Sequence, residues 1–179
     1  SACNTGSGSF YSDAPDGPLV ERGGAAQRLR NLGHAARNIR TCRDASCKTA
    51  GAWGLVDFNT TNVPAVPGLS DAESARLVDW ARGVNNGDGA ANASGVVSYT
   101  DYGLDAAATR PTVHGEVVHS RPLAINYGTS TTGDNVVVFY GAGDGMLHAI
   151  NGNQAGSGAG DELWSFIAPE HWSKLNRVR

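Results

Sequence analysis

The sequence predicts an α+β fold in which Gly-rich loops and two short helices lead into a four-stranded antiparallel sheet, one blade of a β-propeller. Glycine occupies 24 of the 179 positions, while Leu, Ile, Val and Phe together supply only 34 residues. Sixteen of those 34 lie in the last 70 residues, so core-forming side chains are concentrated at the C-terminal end. We therefore expect two parts: a helical, loop-rich lead-in region over residues 1–109, and a first blade with its exit segment over residues 110–179.

The lead-in region is predicted to hold both helices, after an extended arm over residues 1–18. The first helix is expected over Gly24–Arg40, where apolar residues recur at spacings of three and four and so share one helix face. The second is expected over residues 71–82, because Ser70 and Glu73 form a capping box and Gly83 supplies a stop. Residues 51–68 and 84–110 lack sustained periodicity and predict loops.

The blade is predicted from four β-type runs, each bounded by turn residues. Val136–Tyr140 and Met146–Ile150 are apolar on both faces, so the sheet must be covered on both sides. Short antiparallel strands packed between neighbouring sheets are typical of a propeller, which needs about 4 to 8 blades. The sequence thus predicts a fragment of a larger protein, or a second chain that supplies the cover. The four runs are Glu116–Tyr127, Asn135–Tyr140, Met146–Ile150 and Glu162–Ile167.

The charge pattern narrows the possible partners. A net charge of −3 argues against a nucleic-acid partner, and no run reaches the ~18 apolar residues of a membrane-spanning segment. Residues 19–48 nevertheless carry seven bases and two acids, which leaves −8 on the remainder. We expect the arginines of this segment to pair with the acidic half of the same chain. Binding of phosphate or anionic lipid is the alternative.

Three cysteines bear on the compartment. Cys42 and Cys47 are too far apart for a C-x-x-C redox motif and lack the second pair or nearby His of a zinc site. A short disulfide between them is predicted, and it indicates an oxidising compartment. Two unrelated thiols are the alternative. Cys3 is then left over, either free or paired with a partner outside the chain.

The residue types that carry chemistry do not assemble into a convincing site. Gly141–Gly145 lacks the last glycine of a dinucleotide-binding loop and is followed by a β-type run, so it predicts a hairpin with its corner at Asp144-Gly145. Asn85–Gly89 lacks the closing Glu of a calcium loop. Four histidines are interpreted as structural residues. The sequence therefore predicts no catalytic, cofactor-binding or metal-binding residues and no enzyme. The histidines are His114, His119, His148 and His171.

Several separate segments, in the same order, resemble one protein family. Arg110–Pro122 (RPTVHGEVVHSRP), Val136–Asn153 and Glu162–Glu170 (ELWSFIAPE) look like the first propeller blade of the PilC/PilY-type type IV pilus tip adhesins. Upstream, the segment Arg37–Cys42 (RNIRTC) with Cys47, and Leu77–Gly83 (LVDWARG), resemble the region that leads into that propeller. The similarity covers residues 37–179.

This resemblance implies a non-enzymatic protein exported through the periplasm to the cell surface or pilus tip. There it would promote pilus assembly by opposing retraction, and contribute to surface adhesion and twitching motility. Its implied partners are the remainder of its own propeller, minor pilins at the pilus tip, and a host or abiotic surface. The family's calcium loop lies in a later blade, so no cofactor is expected in this segment. Residues 145–164 also resemble the repeat of quinoprotein-type propellers, which gives the alternative of a periplasmic quinoprotein-like enzyme or assembly scaffold.

Overall fold

The first predicted helix is shorter than its apolar pattern. The computed structural model describes residues 24–43, 47, 54–86, 105–110 and 113–178. Helix α1 spans Gly24–Leu32 and ends at Gly33, whose φ of 82° is left-handed. A 3-10 turn over His34–Ala36 follows, and the chain is already extended at strand β1, Ile39–Cys42. The helical expectation for residues 33–40 is therefore wrong, because Gly33 allows the chain to leave the helix and β1 gains sheet partners.

The second helix agrees with its capping signals. Helix α2 spans Asp71–Arg82, and the Ser70 hydroxyl accepts a hydrogen bond from the Glu73 backbone N–H at 3.3 Å. At the other end Gly83 has a φ of 111°, and its N–H bonds to carbonyls of the last helical turn. Both ends are thus set by local sequence, as predicted.

The sheet contains the predicted antiparallel strands together with two strands from the lead-in region. Besides β1, its strands are β2 Leu55–Asp57, β5 Leu123–Asn126, β6 Val136–Gly141, β7 Leu147–Asn151 and β8 Glu162–Phe166. The strand order is β2-β1-β8-β7-β6-β5, in which β5 to β8 form a continuous antiparallel meander. Strand β1 pairs parallel with β8 and antiparallel with β2.

These strands confirm a mixed fold of helices and sheet, with three differences from the expectation. Strand β5 is much shorter than the predicted run, and β2 lies inside the segment predicted as loop. Within the described residues the sheet has six strands and is not closed. The pairing of β1 with β8 also means that the lead-in region and the blade region share one sheet. The propeller itself stays a prediction.

Helices and loops cover one face of the sheet. Ile39 and Ser165 are paired on this face, and His148 pairs with both Ser165 and Tyr140 across the strands, so all four side chains share it. The hydrophobic core lies between this face, α2, and the 3-10 helix Pro169–Arg177 near the C-terminus. The core side chains include Ile39, Phe58, Val63, Val66, Leu77, Val78, Met146, Ile167 and Leu175.

The opposite face, which we call the open sheet face, is apolar and exposed. Its side chains follow from the register, because directly paired residues point to the same side of a sheet. Leu55, Leu123 and Leu147 are 46%, 58% and 41% exposed. Phe139 and Trp164 lie 5.9 Å apart between ring centroids and cover the buried Ala149 between them. Its large apolar side chains are Leu55, Leu123, Phe139, Leu147, Trp164 and Phe166, and the paired Arg40 and Asp57 lie on the same face at its β1–β2 end.

Two further strands join the region after α2 to the loop before β5. Strands β3, Val84–Asn85, and β4, Asp105–Thr109, pair antiparallel, and the Arg110 N–H donates to the Gly83 carbonyl at 2.8 Å. Only these ends of the predicted 84–110 excursion are described. The predicted arm over residues 1–18 lies outside the described residues. None of the helices in the described part of the chain has the length and apolar character needed to cross a bilayer.

Candidate functional site

Four charged side chains from four separate places in the chain meet between the lead-in region and the sheet. Arg37 comes from the link between the 3-10 turn and β1, Asp144 from the β6–β7 turn, His148 from β7, and Glu162 from the start of β8. None of them is more than 8% exposed. We call this group the buried charge cluster. Burying four ionisable groups is costly unless they pair with one another, so their mutual geometry decides what they do.

Arg37 connects the sheet to helix α2. Its Nε and Nη2 donate to the two oxygens of Glu162, each at 3.0 Å, which is the bidentate geometry that a guanidinium favours. Its Nη1 donates to the carbonyl of Arg82 at 3.2 Å and reaches that of Ala81 at 3.4 Å. These carbonyls belong to the last turn of α2, where acceptors lack helical partners. Arg37 therefore satisfies a helix end and a strand carboxylate at once.

His148 lies between the two carboxylates. Its Nδ1 is 2.9 Å from Oε1 of Glu162, and its Nε2 is 3.0 Å from Oδ2 of Asp144. Asp144 also accepts from the backbone N–H groups of Met146, at 3.1 Å, and Gly115, at 3.3 Å. A neutral imidazole has only one N–H, so two donated bonds require the imidazolium form. The cluster then carries two positive and two negative charges and is balanced.

The pKa values follow from these contacts. Burial alone would lower the pKa of His148, but its bonds to Asp144 and Glu162 and their charges raise it to about 9. Burial opposes ionisation of Glu162 too, yet the bonds and charges of His148 and Arg37 lower its pKa to about 2. The pKa of Asp144 is also lowered, because the bond and charge of His148 outweigh burial. His148, Glu162 and Asp144 are therefore charged at neutral pH.

A cleft of about 460 Å³ opens beside the cluster. Asp144, His114 and Glu116 are among the residues that line it. Arg110 and Trp80 also line the cleft, and the Arg110 guanidinium stacks over the Trp80 ring at 3.9 Å and donates to the Trp80 carbonyl. Nε2 of His114 lies 2.7 Å from the hydroxyl of Tyr140, and its ring centroid is 4.9 Å from that of His148.

The cluster is organised for holding structure rather than for moving protons. Both nitrogens of His148 are engaged, so neither is free to act as a base towards a molecule in the cleft. The pKa of Tyr140 is raised to about 12 by burial and by the charges of Glu162 and Asp144, so its hydroxyl stays protonated. Among the described residues, no group of three or more His, Cys, Asp or Glu side chains is arranged to hold a metal ion.

The structure separates the four histidines of the sequence analysis. His114 and His148 lie together at the cluster, whereas His119 is exposed beside a second cleft, and Nδ1 of the exposed His171 is 3.4 Å from the Gly145 carbonyl. Sequence reasoning missed that Arg37, Asp144 and Glu162 surround His148. The sequence carried a signal only for Asp144, since a histidine inside an apolar strand needs hydrogen-bond partners and this acid lies four residues earlier.

The other candidate motifs have structural roles where they are described. The glycine segment forms the predicted β6–β7 hairpin, in which Gly145 has a φ of 81°. Of Asn85–Gly89 only the first two residues are described, and Asn86 is buried with its Nδ2 donating to the Arg76 carbonyl at 2.9 Å. Residues 87–89 lie outside the described residues.

Two further predictions about the lead-in region are confirmed. Cys42 and Cys47 form a disulfide at the end of β1, with their Cα atoms 5.2 Å apart. Three arginines of the basic segment pair with acids of the same chain: Arg28 with Asp161 at 3.1 Å, Arg37 with Glu162, and Arg40 with Asp57. Cys3 lies outside the described residues.

Comparisons of the chain with family models, curated proteins and solved structures give no match.

Proposed function

We propose that this chain is the lead-in region and first blade of a PilC/PilY-type type IV pilus tip adhesin, a non-enzymatic protein exported through the periplasm. The open sheet face carries the proposal, and its occupant is the remainder of the same propeller. In this role the chain contributes to pilus assembly by opposing retraction, and to surface adhesion and twitching motility, with minor pilins and a host or abiotic surface as outer partners.

The open sheet face supports docking because it exposes large side chains in one continuous area. Leu55, Leu147, Trp164 and Phe166 line a groove of about 350 Å³ on this face, which also includes Arg40. Each fully buried leucine contributes roughly 1.5–3 kcal/mol, so leaving several exposed is unfavourable unless another surface covers them. In a β-propeller the four-stranded blades are arranged around a central channel, so the next blade would cover this face.

The lead-in region supports a role in fixing the first blade. Its strand β1 extends the sheet at β8, and its Arg37 is bonded to Glu162 inside the buried charge cluster. The Cys42–Cys47 disulfide closes the end of the same strand. A disulfide persists in an oxidising compartment, which agrees with export through the periplasm. These contacts hold β1 in the sheet whose open face the next blade would cover.

A matched pair of leucine variants tests the proposal in the organism that encodes the chain. Leu147 on the open sheet face and Leu32 at the end of α1 are 41% and 42% exposed, so glutamate at either position is equally solvated in the isolated chain. We expect Leu147→Glu to reduce surface pili and twitching motility at unchanged protein level, and Leu32→Glu to leave both near wild type. Equal pilus counts in the two strains would refute the docking role.

The compartment has an independent test. Protein recovered from the surface or periplasmic fraction should carry the Cys42–Cys47 bond, detected as resistance of both thiols to alkylation before reduction. Recovery of the chain only from the reducing cytosol, with both thiols alkylated, would contradict the pilus assignment.

A further inference from the structure

The loop that precedes β5 lies directly on the β6–β7 turn at the edge of the cleft. Residues 113–116, which we call the cleft loop, are fixed there by a few contacts. Val113 is 1% exposed, the Gly115 N–H donates to Asp144, and the Gly143 N–H donates to the Glu116 carbonyl at 2.9 Å. A Cβ at Gly115 would collide with the backbone of the turn, so this close approach requires glycine.

The fourth contact of the cleft loop is the side chain of His114, which lies against two rings. Its Nε2 is bonded to the Tyr140 hydroxyl at 2.7 Å, and the ring centroids of His114 and Tyr140 are 5.5 Å apart. On the other side is His148, at 4.9 Å between centroids. His148 donates from both nitrogens to carboxylates and is therefore an imidazolium with a fixed position.

A proton added to His114 would place two imidazolium rings in contact. Whether His114 accepts this proton depends on the charged and titratable groups of every element that packs against it. Asp144 of the turn favours the proton, whereas His148 of β7 and Arg37 before β1 oppose it. Tyr140 of β6 is neutral, and Glu162 of β8 is already bonded to Arg37 and His148. The cleft itself adds Arg110 and Glu116, and the apolar Val178, which directly follows the C-terminal 3-10 helix, also lines it.

We propose that the cleft loop is an acid-sensitive latch, in which protonation of His114 detaches the loop from the β6–β7 turn and opens the cleft while the buried charge cluster stays intact. Detachment exposes Val113 and frees Oδ2 of Asp144 from the Gly115 N–H. It leaves His148 paired with Glu162 and Asp144, so the sheet and α2 remain joined. The proposal does not depend on the pilus assignment.

The direction of the pH effect follows from proton linkage. Burial, and then the charge of His148, lower the pKa of His114 below its ordinary 6.5. A detached loop exposes this imidazole to water and restores its ordinary pKa. The detached form therefore binds more protons at pH values just below 6.5, and the closed form is lost progressively as the pH falls. For each unit by which the pKa of His114 is lower in the closed form than in the detached form, the ratio of closed to open loop can shift by at most about tenfold.

Hydrogen–deuterium exchange on the full 179-residue chain measures this opening. Exchange is compared at about pH 7.5 and about pH 5.5, on either side of the ordinary histidine range, after correction for the intrinsic rates. We expect amides of the cleft loop to lose several-fold protection at the lower pH, while amides of β7 and α2 keep theirs. Unchanged protection of the cleft loop would overturn the proposal.

Two variants assign the response to His114. His114→Gln keeps an amide that can bond the Tyr140 hydroxyl but cannot be charged, so its cleft loop should show equal protection at both pH values. His171→Gln removes an exposed histidine elsewhere and should respond like wild type. A pH response retained in His114→Gln would refute the assignment.

An NMR titration of the wild-type histidine Cε1–H signals gives a readout that does not depend on any variant folding. His114 should titrate below 6.5, and His148 should keep its proton to about pH 9. A His114 midpoint at or above 6.5 would overturn the latch.

Discussion

Removing Arg37 should reveal how strongly the buried charge cluster stabilises the fold. The Arg37 and Glu162 side chains are both 0% exposed, so Arg37→Met leaves a buried carboxylate with only His148 to balance it and gives the cluster a net negative charge. It also removes the donors that reach the last carbonyls of α2. Breaking a buried ion pair at one partner costs about 3–5 kcal/mol, and we expect Arg37→Met to fall in that range.

Arg40→Met is the matched control, because Arg40 lies three residues later in the same segment and also pairs with an acid. Its side chain and that of Asp57 are 39% and 58% exposed, so water screens the pair. Such pairs contribute about 0–1 kcal/mol. The free energies of unfolding of the two variants should therefore differ by about 3 kcal/mol. If the free energy of unfolding falls by about 2 kcal/mol per molar urea, the urea midpoints differ by roughly 1–2 M.

The assay is equilibrium urea denaturation at neutral pH, followed by tryptophan fluorescence, with Glu162→Gln and the double variant Arg37→Met/Glu162→Gln completing a cycle. The double variant removes both charges of the pair, so its cost should be smaller than the sum of the single costs by at least about 1 kcal/mol. Equal costs for Arg37→Met and Arg40→Met, or strictly additive single costs, would refute the view that burial makes this pair important.

Three further outcomes follow from individual residues. The pKa of His148 is about 9 in the folded protein and ordinarily 6.5, so the free energy of unfolding should fall by up to about 3 kcal/mol as the pH rises from 6.5 to about 9. Urea denaturation across that range measures it, and a free energy of unfolding that does not change with pH would contradict the imidazolium assignment. Replacing Cys42 and Cys47 together by serine should cost about 2 kcal/mol, from the chain entropy of so short a loop, and the variant's melt should then no longer change with added reductant. Gly83→Ala should lower the free energy of unfolding by about 1–2 kcal/mol, since the φ of Gly83 is 111° and the new Cβ would lie 3.2 Å from Val113. Thermal melts beside wild type measure the effect, and an unchanged melting temperature would exclude strain at this helix end.

The sequence by itself determined the features that depend on neighbouring residues along the chain. Helix α2 begins and ends where Ser70 and Gly83 place it, and the β6–β7 hairpin turns at Gly145 as predicted. The Cys42–Cys47 bond closes a short loop, which the sequence favoured over two unrelated thiols because no redox motif or zinc site fits these cysteines. In each case the hydrogen bonds or backbone angles involved lie within one turn of the residue that sets them.

Only the tertiary structure decided what pairs across long separations. The apolar spacing predicts the end of a helix at strand β1, because Ile39 fits the pattern of α1. The structure differs because Gly33 ends the helix with a left-handed φ and the backbone of β1 bonds instead to β2 and β8. The buried charge cluster likewise joins Arg37 to Glu162, 125 positions apart, around His148. No local pattern encodes such a contact, because its stability comes from removing the charges from water together, and that depends on how the whole chain packs.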